Sequence, residues 1–317
     1  MRNFLKPLLF SGIAVMSLYS CDDNEDVMMD SEMTVYQRIS SDSDLSNLKA
    51  AVDKAGLSST LDQSGTFTLF APTNSAFTTF LQANGYASLN DVPTAALKTL
   101  LMNHVLGAEV KSSGISTGYV STLAIGPAST TRPISMYINT SSGVKINGTS
   151  TVVATDIDVN NGVIHKVNAV IGLPTVVTHA TANPQFNSLV SALTRSDMPN
   201  FVGILSGTTN SPFTVFAPTN TAFSSLLTEL NLANLAAIPK TTLENTLKYH
   251  VVTGANVAST NLTNNMTVTT FLGSTFKINT TSGAKITDNN NRVSNIIATD
   301  VQCSNGIIHA IDKVLLP

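Results

Sequence analysis

The sequence predicts an α+β fold built twice along one chain of 317 residues. Three observations carry that prediction. Four segments from the first half return, in the same order, in the second. Within each copy, apolar residues recur at helical spacing early and alternate at strand spacing late. Only 12% of residues are charged, and Ser, Thr, Asn and Gly supply the polarity instead, which suits strands and turns.

The repeat sets the organisation. FTLFAPTNSAF at 67–77 returns as FTVFAPTNTAF at 213–223, with nine of eleven positions identical and an offset of 146. LMNHVL at 101–106 returns as LKYHVV at 247–252, at the same offset. NTSSGVKI at 139–146 returns as NTTSGAKI at 279–286, and ATDIDVNNGVIH at 154–165 returns as ATDVQCSNGIIH at 298–309. Such a period is too long for a solenoid unit and long enough for a domain with its own core. Small drifts in offset are what loop insertions produce. Leu173-Pro174 matches Leu316-Pro317, so both units end at one structural point. The expected domains are 35–175 and 179–317, with the boundary near Pro174 to His179 and His179 read as part of the linker region.

The elements of one unit follow from pattern. Leu45, Leu48, Ala51, Val52 and Ala55 recur at helical spacing, and Gly56 is a C-terminal stop. Phe67, Leu69 and Ala71 alternate with Thr66, Thr68 and Phe70, which predicts a buried strand. Pro72 ends it, and Thr73 or Asn74 caps the next helix. Ala76, Phe77, Phe80 and Leu81 give that helix its apolar face, and Gly85 closes it. Pro93 stands at the start of a further helix with Leu97, Leu100 and Leu101 inward. From His104 the pattern is β. Ile134, Met136 and Ile138 alternate, while Ser142-Gly143 and Asn160-Asn161-Gly162 mark hairpin turns. Helices crowd the first half of each unit and strands the second.

The first residues read as an address. Arg2 and Lys6 precede an apolar run from Leu8 to Tyr19, too short to cross a ~30 Å hydrocarbon core as a helix. It fits the apolar region of a secretory signal. Leu18-Tyr19-Ser20-Cys21 resembles a bacterial lipobox, which implies a signal peptide over 1–20 and acylation of Cys21. An acidic linker follows over 21–34, beginning Asp22-Asp23-Asn24-Glu25-Asp26. That run resembles the tag that sends lipoproteins to the outer face of the outer membrane. The expected location is therefore the outer membrane, lipid-anchored and exposed at the cell surface.

Charge and cysteine count exclude other classes. Residues 34–178 carry eight basic and eight acidic groups, and residues 179–317 carry seven and six. With no basic stripe to neutralise phosphates, nucleic acid is not an expected partner. If Cys21 is acylated, only Cys303 remains, so no intrachain disulfide forms. Cys303 reads as a small buried hydrophobe.

The repeated boxes carry a family resemblance. FTLFAPTNSAF and FTVFAPTNTAF look like the first signature box of fasciclin-like domains, as in fasciclin I and periostin. His104 and Tyr249-His250 resemble the central Tyr-His motif, and ATDIDVNNGVIHKVNAVIGLP and ATDVQCSNGIIHAIDKVLLP the second box. The resemblance covers 35–317. It implies two tandem fasciclin-like domains, each a β-wedge or sandwich with helices packed along one side. It implies adhesion or matrix binding rather than catalysis. Asn103 departs from the motif Tyr in the first copy, which makes the second domain the better candidate for binding. Asp156-Ile157 and Asp300-Val301 resemble the Asp-Ile feature that the family uses in integrin adhesion.

The candidate ligand-binding residues are thus Tyr249, His250, Asp300, His104 and Asp156. Each has a bland alternative. The paired histidines, His104 with His250 and His165 with His309, read as buried rings bonded to backbone. No third ligand at metal spacing accompanies them, so no metal or other cofactor is expected. The aspartates can equally accept turn amides. Thr73, Asn74, Thr219 and Asn220 read as helix caps, and no nucleophile–base pair is present. Tryptophan is absent, which leaves Tyr36, Tyr86, Tyr119, Tyr137 and Tyr249 for stacking or interface contacts. The expected function is a lipid-anchored, non-enzymatic cell-surface module for adhesion or binding to a protein or matrix glycan. The alternative is an accessory docking subunit of an outer-membrane polysaccharide-uptake or envelope complex.

Overall fold

Local capping starts both copies in the same way. The structure, a computed structural model, describes residues 32–317. The expected signal peptide, Cys21 and most of the acidic stretch lie outside the described residues. Thr34 opens α1 (Val35–Ser41) with a capping box, its hydroxyl taking the Gln37 N–H while the Gln37 side chain takes the Thr34 N–H. Helices α2 (Ser46–Lys54) and α3 (Ser58–Asp62) follow, separated at Gly56, whose φ of 66° only glycine adopts without strain. Then come β1 (Phe67–Pro72), α4 (Asn74–Ala83), α5 (Thr94–Met102) and six strands. These are β2 (Val105–Leu106), β3 (Gly118–Ile125), β4 (Pro133–Asn139), β5 (Lys145–Ile146), β6 (Ser150–Val159) and β7 (Gly162–Val167).

The second copy repeats the order. It runs α6 (Val176–Ala182), α7 (Asn187–Leu193), α8 (Phe201–Ser206), β8 (Phe213–Pro218), α9 (Asn220–Glu229) and α10 (Lys240–Tyr249). Strands β9 (Val251–Val252), β10 (Thr267–Thr269), β11 (Thr275–Asn279), β12 (Lys285–Thr287), β13 (Val293–Cys303) and β14 (Gly306–Ile311) complete it. Each domain holds a seven-stranded mixed sheet, ordered β2-β1-β7-β6-β5-β4-β3 and β9-β8-β14-β13-β12-β11-β10. The pairs β1–β7 and β8–β14 are parallel, and the others are antiparallel. Apart from β1 and β8, helices precede strands in each unit, the α+β arrangement predicted from pattern.

Two cores flank each central strand. Phe67, Leu69 and Ala71 of β1 pack with the helices, whereas Phe70 faces a second cluster with Leu106, Met136, Ile138 and Ile146. In the second domain Phe213, Val215 and Ala217 face the helices, and Phe216 faces Tyr249, Phe276 and Ile286. Burial on both faces is why FTLFAP and FTVFAP read as nearly continuous apolar runs. Thr73 and Thr219 cap α4 and α9 through the N–H groups of Ala76 and Ala222.

The Asn-Gly turn does more than close a hairpin. A Cβ on Gly162 would lie 1.9 Å from the Phe67 carbonyl oxygen, and one on Gly306 would lie 2.3 Å from that of Phe213. Only glycine lets the parallel strands meet there. The neighbouring Asn161 side chain accepts the Val35 N–H at 2.8 Å and donates to Leu61 O and Gln63 O. Asn305 makes the same three kinds of bond to Val176, Leu205 and Gly207. One buried amide per domain therefore ties the first helix to the sheet.

Two readings are corrected. Helix α6 opens at the Thr175 capping box, four residues before the expected start of the second domain at 179. His179 lies inside that helix and is fully buried, not in a linker. The cause is sequence divergence: VVTHATA and VYQRISS are equivalent first helices that share little beyond the leading valine. The alternation in β4 is also incomplete, because Ser135 and Tyr137 are buried as well as Ile134, Met136 and Ile138. The second domain covers that face.

Candidate functional site

The repeated histidines hold backbone. His104 follows α5, is fully buried, and places Nδ1 2.8 Å from Leu100 O and Nε2 2.8 Å from Ile171 N. Nδ1–H therefore donates and Nε2 accepts, which fixes the neutral tautomer. His250 does the same between Thr246 O, at 2.7 Å, and Leu315 N, at 2.9 Å. Burial pushes both rings down to about 4. Each pins the final segment of its domain to the end of a helix.

The second histidine pair shapes the aspartate loops. His165 donates from Nε2 to Val110 O at 2.9 Å and accepts the Asp156 N–H on Nδ1 at 3.2 Å. His309 donates to Val257 O at 2.8 Å and accepts the Asp300 N–H at 3.3 Å. Asp156 and Asp300 sit at φ 57° and 63°, within irregular stretches of β6 and β13. Asp is among the residues that tolerate this left-handed backbone. The Asp156 carboxylate accepts both the Ser112 hydroxyl and the Ser112 N–H, the latter at 2.7 Å, which holds its pKa below the usual range. Asp300 is bonded in the same way by Ser259. Its burial alone would raise its pKa, but the Ser259 bonds and the Arg132 charge outweigh that and lower it.

The five candidate residues thus divide. Tyr249 is fully buried, its hydroxyl donating to Thr275 O at 2.7 Å and its ring meeting Phe276 edge-on at 5.8 Å. Burial pushes its pKa up to about 12. His250 and His104 are buried too. In this fold those three side chains present no surface to a macromolecule. Asp156 is exposed and Asp300 half-buried. Among the described residues no hydrogen bond joins Tyr249 or His250 to Asp300. Asn103, in the place of Tyr249, donates instead to Ile171 O and Gly172 O. Cys303 is a free, buried thiol, its pKa raised by burial. Among the described residues no group of three His, Cys, Asp or Glu could hold a metal ion.

An interdomain seam runs past Asp300. Arg132, just before β4, puts Nη1 3.4 Å from Asp300 Oδ2 and Nη2 3.1 Å from Thr260 Oγ1. The Ser135 hydroxyl accepts the Gln302 N–H at 3.0 Å, and Ser135 O accepts from His179 Nε2 at 3.0 Å. Asn183 donates to the Tyr119 hydroxyl at 3.2 Å, and the Tyr119 ring meets His179 edge-on at 5.3 Å. Burial lowers the pKa of His179 to about 4. Sequence reasoning missed Arg132, Ser135, His179 and Asn183. The one available signal was broken symmetry: at the offset of 140 shown by the neighbouring repeat, Arg132 falls opposite Leu272.

Residues 43–174 and 184–317 each match the family model of the fasciclin domain. An uncharacterized protein of Synechocystis sp. is 35% identical over 144 residues, covering 45% of this chain and 98% of that protein. A fasciclin-like arabinogalactan protein of Arthroderma benhamiae is 27% identical over 272 residues, covering 81% of this chain and 60% of that protein. Human periostin is 25% identical over 280 residues, covering 84% of this chain and 29% of periostin. A solved FAS1 domain pair from the insect cell adhesion molecule fasciclin I aligns with a TM-score of 0.49 at 19% identity, over 89% of this chain and 96% of that one.

Proposed function

Because this chain belongs to the fasciclin domain family, we propose that it is a non-enzymatic adhesion or binding module, lipid-anchored at Cys21 and displayed on the outer face of the outer membrane. It recognises a protein or a matrix glycan. One observation carries the binding half of this reading. All four repeated histidines use both ring nitrogens on backbone, so the residue type best suited to acid–base work near neutrality serves as scaffold. Of these, His165 and His309 hold the two aspartate loops in place. The exposed Asp156 loop is the more accessible of the two.

The anchor rests on the lipobox-like sequence and the acidic leader. Among the described residues no helix is long and apolar enough to cross a membrane. Mass spectrometry of the mature N-terminus tests it directly: an acylated Cys21 is expected, and an unmodified or internal N-terminus overturns the anchor. Binding is tested by exposing the purified full chain to immobilised matrix proteins and a glycan array at near-physiological salt. A saturable signal weakened by Asp156→Asn is expected. A clean negative with folded protein overturns adhesion and favours docking to a neighbour within an envelope complex.

A further inference from the structure

The seam between the domains encloses more than bonds. A cavity of about 180 Å³ lies beside it, formed by β3 and β4 of the first domain and by the α6–α7 connection, β13 and β14 of the second. Clefts between domains are common places for small ligands.

The lining has a definite chemistry. No charged side chain contributes to it. The rings of Tyr119 and Tyr137 contribute to it, their centroids 4.9 Å apart. Phe186, Val301 and Ala310 add apolar surface. Tyr137 is buried through its ring, and its hydroxyl makes no hydrogen bond within the described residues, which leaves it free for a ligand. The Tyr119 hydroxyl accepts from Asn183, which leaves its own proton to donate. Gln185 is exposed at the rim, and its side-chain amide is likewise unbonded. The cavity thus offers unused phenol and amide groups next to aromatic and aliphatic walls, with no charge.

We infer that this interdomain cavity is a binding site for one neutral sugar ring, such as the terminal residue of a glycan. A pyranose has the matching surface. Its C–H faces pack on aromatic rings, while its hydroxyls both donate and accept at the rim of the same ring. A charged ligand would lose hydration here with nothing to compensate it. A purely apolar ligand would leave the Tyr137 hydroxyl unpaired. Both domains line the site, so each alone lacks half of it, which assigns the docked pair a role that neither single domain performs. The inference deepens the binding reading above by naming a ligand class, and it does not depend on the lipid anchor.

The test uses the purified full chain and free methyl glycosides of glucose, galactose, mannose and N-acetylglucosamine as probes. Saturation-transfer NMR reads binding, and tyrosine fluorescence, unobscured because the chain has no tryptophan, gives the affinity. Saturable binding of at least one glycoside is expected. Tyr137→Phe should weaken it roughly threefold to tenfold, the loss of one hydrogen bond. That change removes a hydroxyl with no partner in the fold, so an unchanged melting temperature is expected with it. Gln185→Ala should also weaken binding, and Tyr86→Phe, far from the cavity lining, should not. Binding that ignores Tyr137→Phe and Gln185→Ala overturns the site, as does the absence of binding by every glycoside. Retention on matrix proteins in that last case leaves the broader adhesion reading standing. Selective binding of N-acetyltyrosine amide or a proline dipeptide at the same residues overturns the sugar assignment in favour of a protein side chain.

Discussion

The two domains share a fold and differ in how they complete it. At the Tyr-His step, the second domain fills its β-side core with Tyr249 against Phe276, while the first places Asn103 and Met136 at the corresponding positions. At the aspartate loop, the same Ser and His partners hold Asp156 and Asp300. Only Asp300 is covered, by Arg132 from the neighbouring domain. The difference teaches which residues are fixed by the fold and which by surroundings. Groups that hold backbone, such as the capping Thr, the two His and the turn Asn-Gly, recur in both. The differences fall instead on groups that fill space or meet a neighbour, as at Asn103 against Tyr249 and at Arg132.

The most severe way to break the comparison is to fill the turn glycines. Gly162→Ala places a Cβ against the Phe67 carbonyl, at a φ of 146° that disfavours side chains. It should cost about 3–5 kcal/mol, as strain plus overpacking. Gly306→Ala should do comparable damage to the second domain, read by urea denaturation. Near-neutral behaviour at either site would mean that the parallel strand pair opens easily there.

Exchanging the core solutions comes next. Tyr249→Asn imports the first domain's residue into a core built around Phe276, and a loss of about 3 kcal/mol or more is expected from the cavity left behind. A loss under 1 kcal/mol would show that the second core collapses readily around the smaller side chain.

Acid sharpens what the domains have in common. His104, His250 and His179 are held at about 4 when folded, against 6.5 when free. The unfolded chain takes up those protons first as pH falls. Stability from the neutral rings is therefore complete above about pH 6.5 and is lost progressively down to about pH 4, by roughly 3 kcal/mol per ring. Denaturation midpoints at pH 7 and pH 4.5 test this. A flat profile across that window would mean that the native rings take up protons as readily as the unfolded chain does.

The smallest effect isolates the seam. Arg132→Ala removes a partly exposed ion pair to Asp300 and a bond to Thr260. A change of about 0.5–1 kcal/mol or less is expected, with neither domain core disturbed. Its signature should be greater freedom between domains, visible as a broader small-angle scattering profile. An unchanged profile would place the docking in the buried bonds of Ser135, His179 and Gln302 instead.

Much of this was legible in the chain. Strand β1, the caps at Thr73 and Thr219, the stop at Gly56 and both hairpin turns follow from local rules that need no distant partner. The histidines were legible as structural because their equivalents recur without accompanying metal ligands. The start of α6 was not, since seven residues of weak amphipathicity carry little signal once identity to α1 has faded. Nor was the burial of Tyr249, Tyr137 and Ser135, because a residue's side of a sheet is local but what covers that side is not.

The sequence by itself determined the duplication, the order of elements within each unit and the residues that hold their ends. These depend on caps, turns and periodicity, which act over a few residues. Only the tertiary structure decided that the two units dock, that Arg132 reaches Asp300 while Asp156 stays open, and that a cavity lined by Tyr119 and Tyr137 forms between them. Those outcomes join residues 44 or more positions apart, and a single pattern of alternation reads the same whether water or another domain lies above it.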